Sequence, residues 1–363
     1  MFELTNKQRE CFAQPLVSDT WVKRELTPSR YHDFKTFAYV EGNRVRKMIT
    51  VSDREYREFG KDEMLSDDGT MLLPKTAKGK PVPLTAATLL KRTTVGMALD
   101  YCKSYLCIFN ADTECDYYYA AYDGITLRSL EDFIAFVDTW CRETTEADLQ
   151  DIRHFAEAEK RHAKFLEGDF FRFRINRRLF GYGRILLDYS RWRREKRPFW
   201  DIFMGKPLCV GVYHIATERR DVSPDELAGL KMLPSQLLMD NIFYYGTCEI
   251  IGNRPLEEKD KDYPIQYGRD QNWRNRRVMY QCGETWLTLE GACDLFPGNR
   301  FYYNGYGFNL NVRRPVLLEC IEKDSNMPYW NQPNLITATD ELRNPKNANE
   351  LREVRRQFGL EDV

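Results

Sequence analysis

The residues that could carry chemistry in this chain are four histidines, ten cysteines and a dense run of arginines. Two-metal hydrolysis needs His and carboxylate ligands close together, yet the sequence contains neither H-x-H nor H-E-x-x-H. His154 and His162 are too far apart along the chain to form one ligand set. A G-x-S-x-G motif is absent, and no cysteine has a histidine beside it in sequence. We therefore predict no metal, no cofactor and no catalytic residue.

The arginines are the residues with unusual placement. Between positions 172 and 197 lie ten basic residues against few acids: Arg172, Arg174, Arg177, Arg178, Arg184, Arg191, Arg193, Arg194, Lys196 and Arg197. Arginine pairs bidentately with carboxylate or phosphate. Three interpretations stay open: a solvated strand face paired with Asp and Glu, a surface for an acidic protein partner, or a nucleic-acid site. Aromatic residues interleave the run as in single-strand binders, but they also fit the core face of the same strands.

Two adjacent tyrosines extend this set of candidates. Tyr244 and Tyr245 follow one another in an apolar stretch, so a strand would place one of the two rings on the solvent side. Protein interfaces favour exposed tyrosine, although ordinary half-exposed strand tyrosines look the same in sequence. The residues predicted to contact a partner are Arg172, Arg174, Arg177, Arg178, Tyr182, Arg184, Arg191, Arg193, Arg194, Tyr244 and Tyr245.

A β-hairpin over 167–187 must position most of these side chains. Phe171, Phe173 and Ile175 alternate with polar residues, which is the period of a strand with one buried face. The residues at 176–178 suit a turn, and a second strand follows with glycines at 181 and 183. Glycines in a strand indicate a bulge or a close approach of another group. The basic run at 190–197 is then predicted to be a loop.

The same stretch resembles the immunity protein 26 family of bacterial polymorphic-toxin systems. The motifs that carry the resemblance are Gly168-Asp169, Gly181-Tyr182-Gly183-Arg184, Met204 to Leu208, Leu233 to Gln236, Met239 to Gly246, Glu249 to Asn253 and Pro264 to Arg269. Together they cover roughly 165–290, and the run at 73–81 resembles a segment of longer members. The resemblance implies a protein that binds a cognate toxin and neutralises it stoichiometrically by occlusion, without being an enzyme.

The first half of the chain shows both strand and helix signals. Turn residues at 41–43 separate strand-like runs at 34–40 and 44–51, and further strands are predicted at 103–110 and 115–122. The charged stretch 52–69 is expected to be a surface excursion. Two helices are predicted from capping boxes, one starting at Ser129 with Asp132 and one at Thr145 with Asp148. The second helix is polar over most of its surface, which favours a connection between domains.

These signals predict an α+β protein in four parts: an N-terminal mixed domain at 1–150, a connecting helix at 151–166, a β-rich domain at 167–330 and a polar tail at 331–363 that contains a helix. The β-rich domain is expected to be antiparallel, small and barrel-like. Its predicted elements are strands at 207–216, 241–251 and 276–289, with a short helix that starts near Pro224.

Composition narrows the class of partner. Lys and Arg number 54 against 55 Asp and Glu, so general attraction to nucleic acid or membrane is not indicated, although local patches are compatible with this balance. The cysteines form no C-x-x-C pair, which favours buried free thiols in a reducing cytoplasm. The polar opening residues and the absence of a long apolar run predict a cytoplasmic protein.

Two alternatives to the toxin binder are carried forward. One is an enzyme, either a hydrolase or a protein that reverses the toxin's modification of its target. The other is a nucleic-acid-binding module that uses the same arginines. The oligomeric state and the identity of the toxin are left open by the sequence.

Overall fold

The computed structural model describes residues 2–28, 34–160, 162–196, 207–269, 277–291, 318 and 342–360. The chain divides into two compact units, unit 1 at Met1–Arg161 and unit 2 at His162–Val363. In both units, antiparallel sheets combine with short helices, which confirms the α+β class. None of the helices in these ranges is both long enough and apolar enough to cross a bilayer.

Unit 1 is built on antiparallel strands. They are β1 Val22–Leu26, β2 Lys35–Glu41, β3 Arg44–Ser52, β4 Glu55–Met64, β5 Met71–Leu72, β6 Val82–Pro83, β7 Val95–Cys102, β8 Tyr105–Asn110 and β9 Cys115–Tyr119. Seven of them form one sheet in the order β1-β2-β3-β4-β7-β8-β9, and β5 pairs with β6. The hairpin predicted around 41–43 and the two strands on either side of 111–113 are confirmed.

Helices cover both faces of this sheet. They are α1 Asn6–Glu10, α2 Ala86–Leu90, α3 Leu130–Glu143 and α4 Glu146–Ala156. Both predicted capping boxes are present, at the starts of α3 and α4. The larger core contains Phe133, Val137 and Trp140 of α3 together with Ile152 of α4. Although α4 is polar over most of its surface, its Ile152 is buried in this core, so the helix packs on unit 1. A smaller core on the other sheet face includes α2 residues.

β4 overturns the prediction of a surface excursion at 52–69. It runs in the middle of the sheet, and its Glu58 is fully buried. The charge is tolerated because Glu58 accepts hydrogen bonds from Arg9 Nε (2.6 Å), Lys47 Nζ and the Tyr56 hydroxyl (2.6 Å). We call these four residues the Glu58 cluster. Burial lowers the pKa of Lys47, although Glu58 acts in the opposite direction.

Unit 2 contains the second large sheet. Its strands are β10 Asp169–Arg174, β11 Phe180–Asp188, β12 Pro207–Thr217, β13 Gln236–Met239, β14 Cys248–Asn253, β15 Ile265–Arg269, β16 Arg277–Cys282 and β17 Thr285–Glu290. Five of them form a sheet in the order β13-β12-β11-β10-β14, and the last three form another. Across the described ranges both sheets are open, so the expected barrel-like closure is not seen there.

The helices of unit 2 are short. They are α5 Ser190–Arg194, α6 Pro224–Ala228, α7 Asn241–Tyr244 and α8 Ala348–Gln357. α6 and α8 confirm the predictions of helices near Pro224 and in the tail. α5 replaces the predicted loop because Trp192 is buried beside Tyr189. α7 replaces the first part of the strand predicted at 241–251, since Ile242 and Phe243 are consecutive and both buried.

Candidate functional site

The hairpin of β10 and β11 gives the predicted site its geometry. The two strands pair antiparallel from Phe170 opposite Arg184 to Arg174 opposite Phe180. Because side chains alternate along a strand, the even-numbered residues of both strands share one face. That face therefore carries, in cross-strand pairs, the residues Phe170, Arg172, Arg174, Phe180, Tyr182 and Arg184. The predicted hairpin is confirmed.

The opposite face explains the two glycines of the G-Y-G motif. Phe171 lies across from Gly183 and Phe173 across from Gly181. A Cβ atom built on Gly183 would lie 2.3 Å from Cζ of Phe171, and one on Gly181 would lie 2.4 Å from Cζ of Phe173. Both rings thus pack directly on the glycine backbone of β11. This packing specifies the register of the hairpin, and with it the positions of the arginines on the other face.

Tyr182 was predicted to contact a partner, and its position corrects that prediction. The side chain has no exposed surface, because it lies in the core formed with Phe170, Phe180 and Tyr213. Its hydroxyl donates a hydrogen bond of 2.6 Å to the carbonyl oxygen of Arg219. Burial raises the pKa of this hydroxyl. Tyr182 is therefore a core residue of unit 2, and its side chain is not accessible to a partner.

Arg184 is corrected in the same way. Only 3% of its side chain is exposed, and Nη1 forms an ion pair of 2.9 Å with Oδ2 of Asp260. Nη2 donates to the carbonyl oxygens of Arg254 (2.8 Å) and Pro255 (3.0 Å). The guanidinium also lies over the ring of Phe170. These contacts compensate its charge inside unit 2, so Arg184 is a structural residue.

Strand pairing brings the remaining hairpin arginines to one end of the sheet. The turn at 175–179 joins β10 to β11, and Phe180 of β11 pairs with Thr217, the last residue of β12. On the other side, Phe173 pairs with Cys248, the first residue of β14. The hairpin turn, the chain just after β12 and the chain just before β14 therefore meet at this end of the sheet. We call the following side chains of these segments and of β10 the arginine end: Arg172, Arg174, Arg177, Arg178, Arg220, Tyr244 and Tyr245.

Three guanidinium groups of the arginine end surround a single phenyl ring. Their Cζ atoms lie 5.4 Å (Arg172), 4.8 Å (Arg174) and 4.7 Å (Arg220) from the ring centroid of Phe180, which is 5% exposed. Cation–π attraction holds the three groups near the ring. Arg220 was missed by the sequence analysis. The only signal for it is the Arg219-Arg220 pair just beyond the strand predicted at 207–216.

Hydrogen bonds keep two of these arginines in place. Arg172 donates through Nη1 to the carbonyl oxygen of Arg220 and through Nη2 to Oε2 of Glu249, at 2.5 Å. Nη1 of Arg174 donates to the carbonyl oxygen of Arg177 at 2.8 Å, across the turn. Glu249 itself is 64% exposed. Arg172 and Arg174 are thus held in place by hydrogen bonds, and Arg172 is paired with an exposed carboxylate.

The tyrosine pair forms an aromatic patch at the same end of the sheet. Tyr244 is 43% exposed, and its ring meets that of Tyr245 edge-on at 5.1 Å between centroids. The imidazole of His162 stacks on Tyr244 at 3.9 Å. Tyr244 closes α7 and Tyr245 leads towards β14, so both lie near the start of β14. The prediction that at least one ring of the pair is exposed is confirmed.

The other predicted arginines lie at the opposite end of the sheet. α5 follows the far end of β11, away from the turn at 175–179. Arg191 forms an ion pair with Glu284, and Arg194 is exposed. The side chain of Arg193 and the whole of Arg197 lie outside the described residues. The predicted cluster is therefore divided between two ends of one sheet and its interior.

The described residues form no cluster of the kind that binds a metal ion. No three His, Cys, Asp or Glu side chains of the described residues come together as metal ligands would. The eight cysteines in these ranges are free thiols, and four of them are buried: Cys107, Cys115, Cys209 and Cys248. Burial raises the pKa of the Cys209 thiol to about 12, which disfavours the reactive thiolate.

One family of known proteins matches the segment of the chain that contains the arginine end. The family model described as immunity protein 26 matches residues 166–277. The match confirms the resemblance noted from the sequence, and it covers the five-stranded sheet of unit 2 together with the hairpin and α7. No curated protein matches the chain, and no solved structure does.

Proposed function

We propose that this chain is an immunity protein that binds a cognate bacterial toxin and neutralises it by occlusion, without turnover. The observation that carries the proposal is the arginine end, which lies wholly within the segment that matches immunity protein 26. Arginine and tyrosine are the residue types that most often carry binding energy at protein interfaces. Strand pairing brings residues of both types to the same end of the sheet, which supports this proposal.

The chemistry of this surface favours a partner with acidic contact residues. Guanidinium groups bind carboxylates through paired hydrogen bonds, and three of them surround Phe180. The net charge of the whole chain is −1, so the attraction is local to the arginine end. Complementary patches of this kind raise the association rate of two proteins above that of unsteered docking.

A protein that neutralises a toxin by occlusion neutralises one toxin molecule for each molecule of binder. We expect the chain to form a stable complex with the toxin domain encoded by a neighbouring reading frame. The test is co-expression of that toxin domain with the full chain, followed by size-exclusion chromatography and a growth assay. Growth together with a co-eluting complex is the expected result.

The same experiment separates the binder from the enzyme alternative. If the chain protects growth but no complex with the toxin domain is detected, occlusion is contradicted. That result would favour a hydrolase or a protein that reverses the toxin's modification. A variant with Arg174→Gln and Arg220→Gln is expected to lose the complex. Its matched control, Arg191→Gln with Arg194→Gln, removes the same charge at the other end of the sheet and is expected to keep it.

A further inference from the structure

Four lysines of unit 1 lie in a part of the chain that has no acidic residue. The stretch 69–99 contains five basic residues and no Asp or Glu, although the whole chain has 55 acids. One of the five, Arg92, has its Nε atom 3.6 Å from Oε2 of Glu63. The other four are exposed, and we call them the lysine surface: Lys75, Lys78, Lys80 and Lys91.

The ammonium groups of the lysine surface have no counter-charge within the fold. In the ranges that the structure describes, none of the four forms an ion pair, a side-chain hydrogen bond or a cation–π contact. Other lysines of unit 1 differ, since Lys23 is bonded to Glu3 and Lys47 to Glu58. Solvent alone compensates the four charges, so a carboxylate that approaches them displaces no internal partner.

Backbone hydrogen bonds hold three of these lysines in one ordered loop. β5 and β6 pair as a short hairpin, and residues 73–81 join them. Within this loop the N–H of Thr76 donates to the carbonyl oxygen of Lys80 (3.0 Å), and the N–H of Lys80 donates to Oγ1 of Thr76 (3.0 Å). Gly79 lies in the turn with φ +72°, a conformation that favours glycine. The backbone of the loop is thus ordered before a partner arrives, which lowers the entropic cost of binding.

The fourth lysine is brought to the loop by its neighbour in sequence. Nη2 of Arg92 donates to the carbonyl oxygen of Pro74 at 3.0 Å. These two residues are the sequence neighbours of Lys91 and Lys75, so both lysines flank this contact. α2 is fixed on the smaller core of unit 1 through the buried Leu89. The end of α2 and the loop therefore present their four charges side by side.

We propose that the lysine surface binds an acidic segment of a protein partner, whose Asp and Glu carboxylates pair with the four ammonium groups. This role goes beyond the proposed function, because it belongs to unit 1, outside the segment that matches immunity protein 26. Like charges on one surface repel one another and create a local positive potential, which an acidic segment relieves. Such a potential also raises the rate at which the two partners meet.

Two other anionic partners fit the surface less well. Single-stranded nucleic acid is bound through stacking of its bases on aromatic rings, and the chain has no aromatic residue between Phe59 and Tyr101. Interfacial membrane binding combines basic residues with large apolar side chains that insert between the lipids. The apolar residues at 74–81 are only alanine and proline. Pairing with carboxylates needs neither stacking nor insertion.

The test locates where an acidic peptide binds on the full chain. The probe is a peptide in which four glutamates alternate with glycine, and a carbodiimide joins its carboxylates to the lysine amines that they contact. Guanidinium groups stay protonated and do not react, so the arginine end does not contribute. Digestion and mass spectrometry give the yield at each lysine. Three further lysines of unit 1 are matched controls, because they too are exposed and form no ion pair within the described ranges: Lys7, Lys35 and Lys103.

We expect the yield at the lysine surface, at low salt, to exceed that at the three control lysines by about tenfold. This is the factor that two or three exposed ion pairs together provide. The excess should disappear at high salt, which screens exposed charges. A peptide with glutamine in place of glutamate has no carboxylate side chains to join, and it reports the background.

A variant tests whether the four lysines act as one surface. Lys75→Gln with Lys78→Gln and Lys80→Gln removes three of the charges, and the yield at the remaining Lys91 is then expected to fall about tenfold. Replacing the three control lysines with glutamine removes the same charge elsewhere and is expected to leave the yield at Lys91 unchanged. Thermal unfolding followed by circular dichroism checks that both variants are folded.

Three results would overturn the proposal. Equal yields at the lysine surface and at the control lysines would show that exposure alone decides the reaction. An unchanged yield at Lys91 in the first variant would show that the four lysines do not act together. Suppression of the reaction by an oligonucleotide or by phosphatidylserine vesicles, at lower concentration than by free glutamate peptide, would assign the surface to phosphate groups. No toxin is present in the assay, so these results leave the toxin complex to its own test.

Discussion

The Glu58 cluster of unit 1 and the arginine end of unit 2 use the same kinds of residue for different purposes. In the Glu58 cluster the side chains of Glu58 and Lys47 are fully buried, and that of Arg9 is 3% exposed. At the arginine end, Arg178 and Arg220 are exposed, and Glu249 is mostly so. Buried charges must be compensated within the fold, whereas exposed charges keep their contact with water.

The hairpin shows the same contrast within one sheet face. Arg172 and Arg184 both lie on the even-numbered face of β10 and β11. Arg184 is enclosed with Asp260 and two backbone carbonyls, while Arg172 lies beside an exposed glutamate. Burial and the number of internal contacts therefore distinguish Arg184, which is enclosed, from Arg172, whose partner Glu249 reaches solvent. Arginine density in the sequence does not make this distinction.

The largest expected effect comes from breaking the Glu58 cluster. Glu58→Gln leaves Lys47 buried without its counter-charge and leaves Arg9 with Glu3 as its remaining acidic partner. Loss of one member of a buried ion pair costs about 3–5 kcal/mol. We expect a loss of this size in the free energy of unfolding of unit 1, measured by urea denaturation with circular dichroism.

An exposed ion pair provides the control for that measurement. Glu41 pairs with Arg46 at the surface, so Glu41→Gln is expected to leave the unfolding transition unchanged. Equal effects of Glu58→Gln and Glu41→Gln would contradict the distinction between the buried cluster and surface charges.

A smaller effect, on association instead of stability, is expected at the arginine end. Reversing Arg174, Arg177 and Arg178 to Glu turns attraction into repulsion, so the association rate with the toxin domain should fall about tenfold or more and depend less on salt. The measurement is surface plasmon resonance at two salt concentrations. The free energy of unfolding should change by less than about 1 kcal/mol.

The control for this variant reverses the same number of charges elsewhere. Arg191, Arg194 and Lys196 lie at the opposite end of the sheet, and their reversal to Glu should slow association much less. Unchanged kinetics in the arginine-end variant would remove this surface from the interface.

The smallest effect concerns a buried cation of unit 1 that lies outside the Glu58 cluster. Lys61 is 2% exposed, and its Nζ donates to the carbonyl oxygen of Arg92 (2.7 Å) and to the Thr94 hydroxyl (3.2 Å). Burial lowers the pKa of Lys61 from 10.5 to about 8. Below pH 8 the side chain is protonated in both the folded and unfolded states, so the full cost of burying its charge is present.

Between about pH 8 and 10.5 that cost is relieved, because the folded protein releases the proton of Lys61 before the unfolded chain does. We expect the stability of the wild type relative to Lys61→Met to rise across this interval by on the order of 1–3 kcal/mol. Urea denaturation of both proteins at several pH values measures the difference. A constant difference would show that Lys61 titrates normally.

Local signals in the sequence predicted many of the elements correctly. The capping boxes at Ser129 and Thr145 start helices because their hydrogen bonds close within three residues. The hairpin at 167–187 was readable because alternation of apolar residues marks the buried face of a strand. Gly181 and Gly183 signalled a close approach, and the rings of Phe171 and Phe173 are the groups that approach.

Features that depend on distant residues were not predictable. Asp260, which holds Arg184 inside unit 2, lies 76 positions further along the chain. Glu58 could not be recognised as buried, since Arg9 lies 49 positions away. Arg220 lies with Arg172 and Arg174 around Phe180 because β12 pairs with β11. The sequence therefore indicated which residue types mattered, while strand pairing decided which of them meet.

The proposal that the chain neutralises its toxin by occupying it, and not by turnover, is tested by a titration. Purified toxin domain at fixed concentration is mixed with increasing amounts of the full chain, and residual toxin activity is measured at concentrations well above the dissociation constant. If the chain acts by occlusion, toxin activity falls linearly and ends at one chain per toxin domain. Complete loss of activity at a small fraction of one equivalent would contradict it.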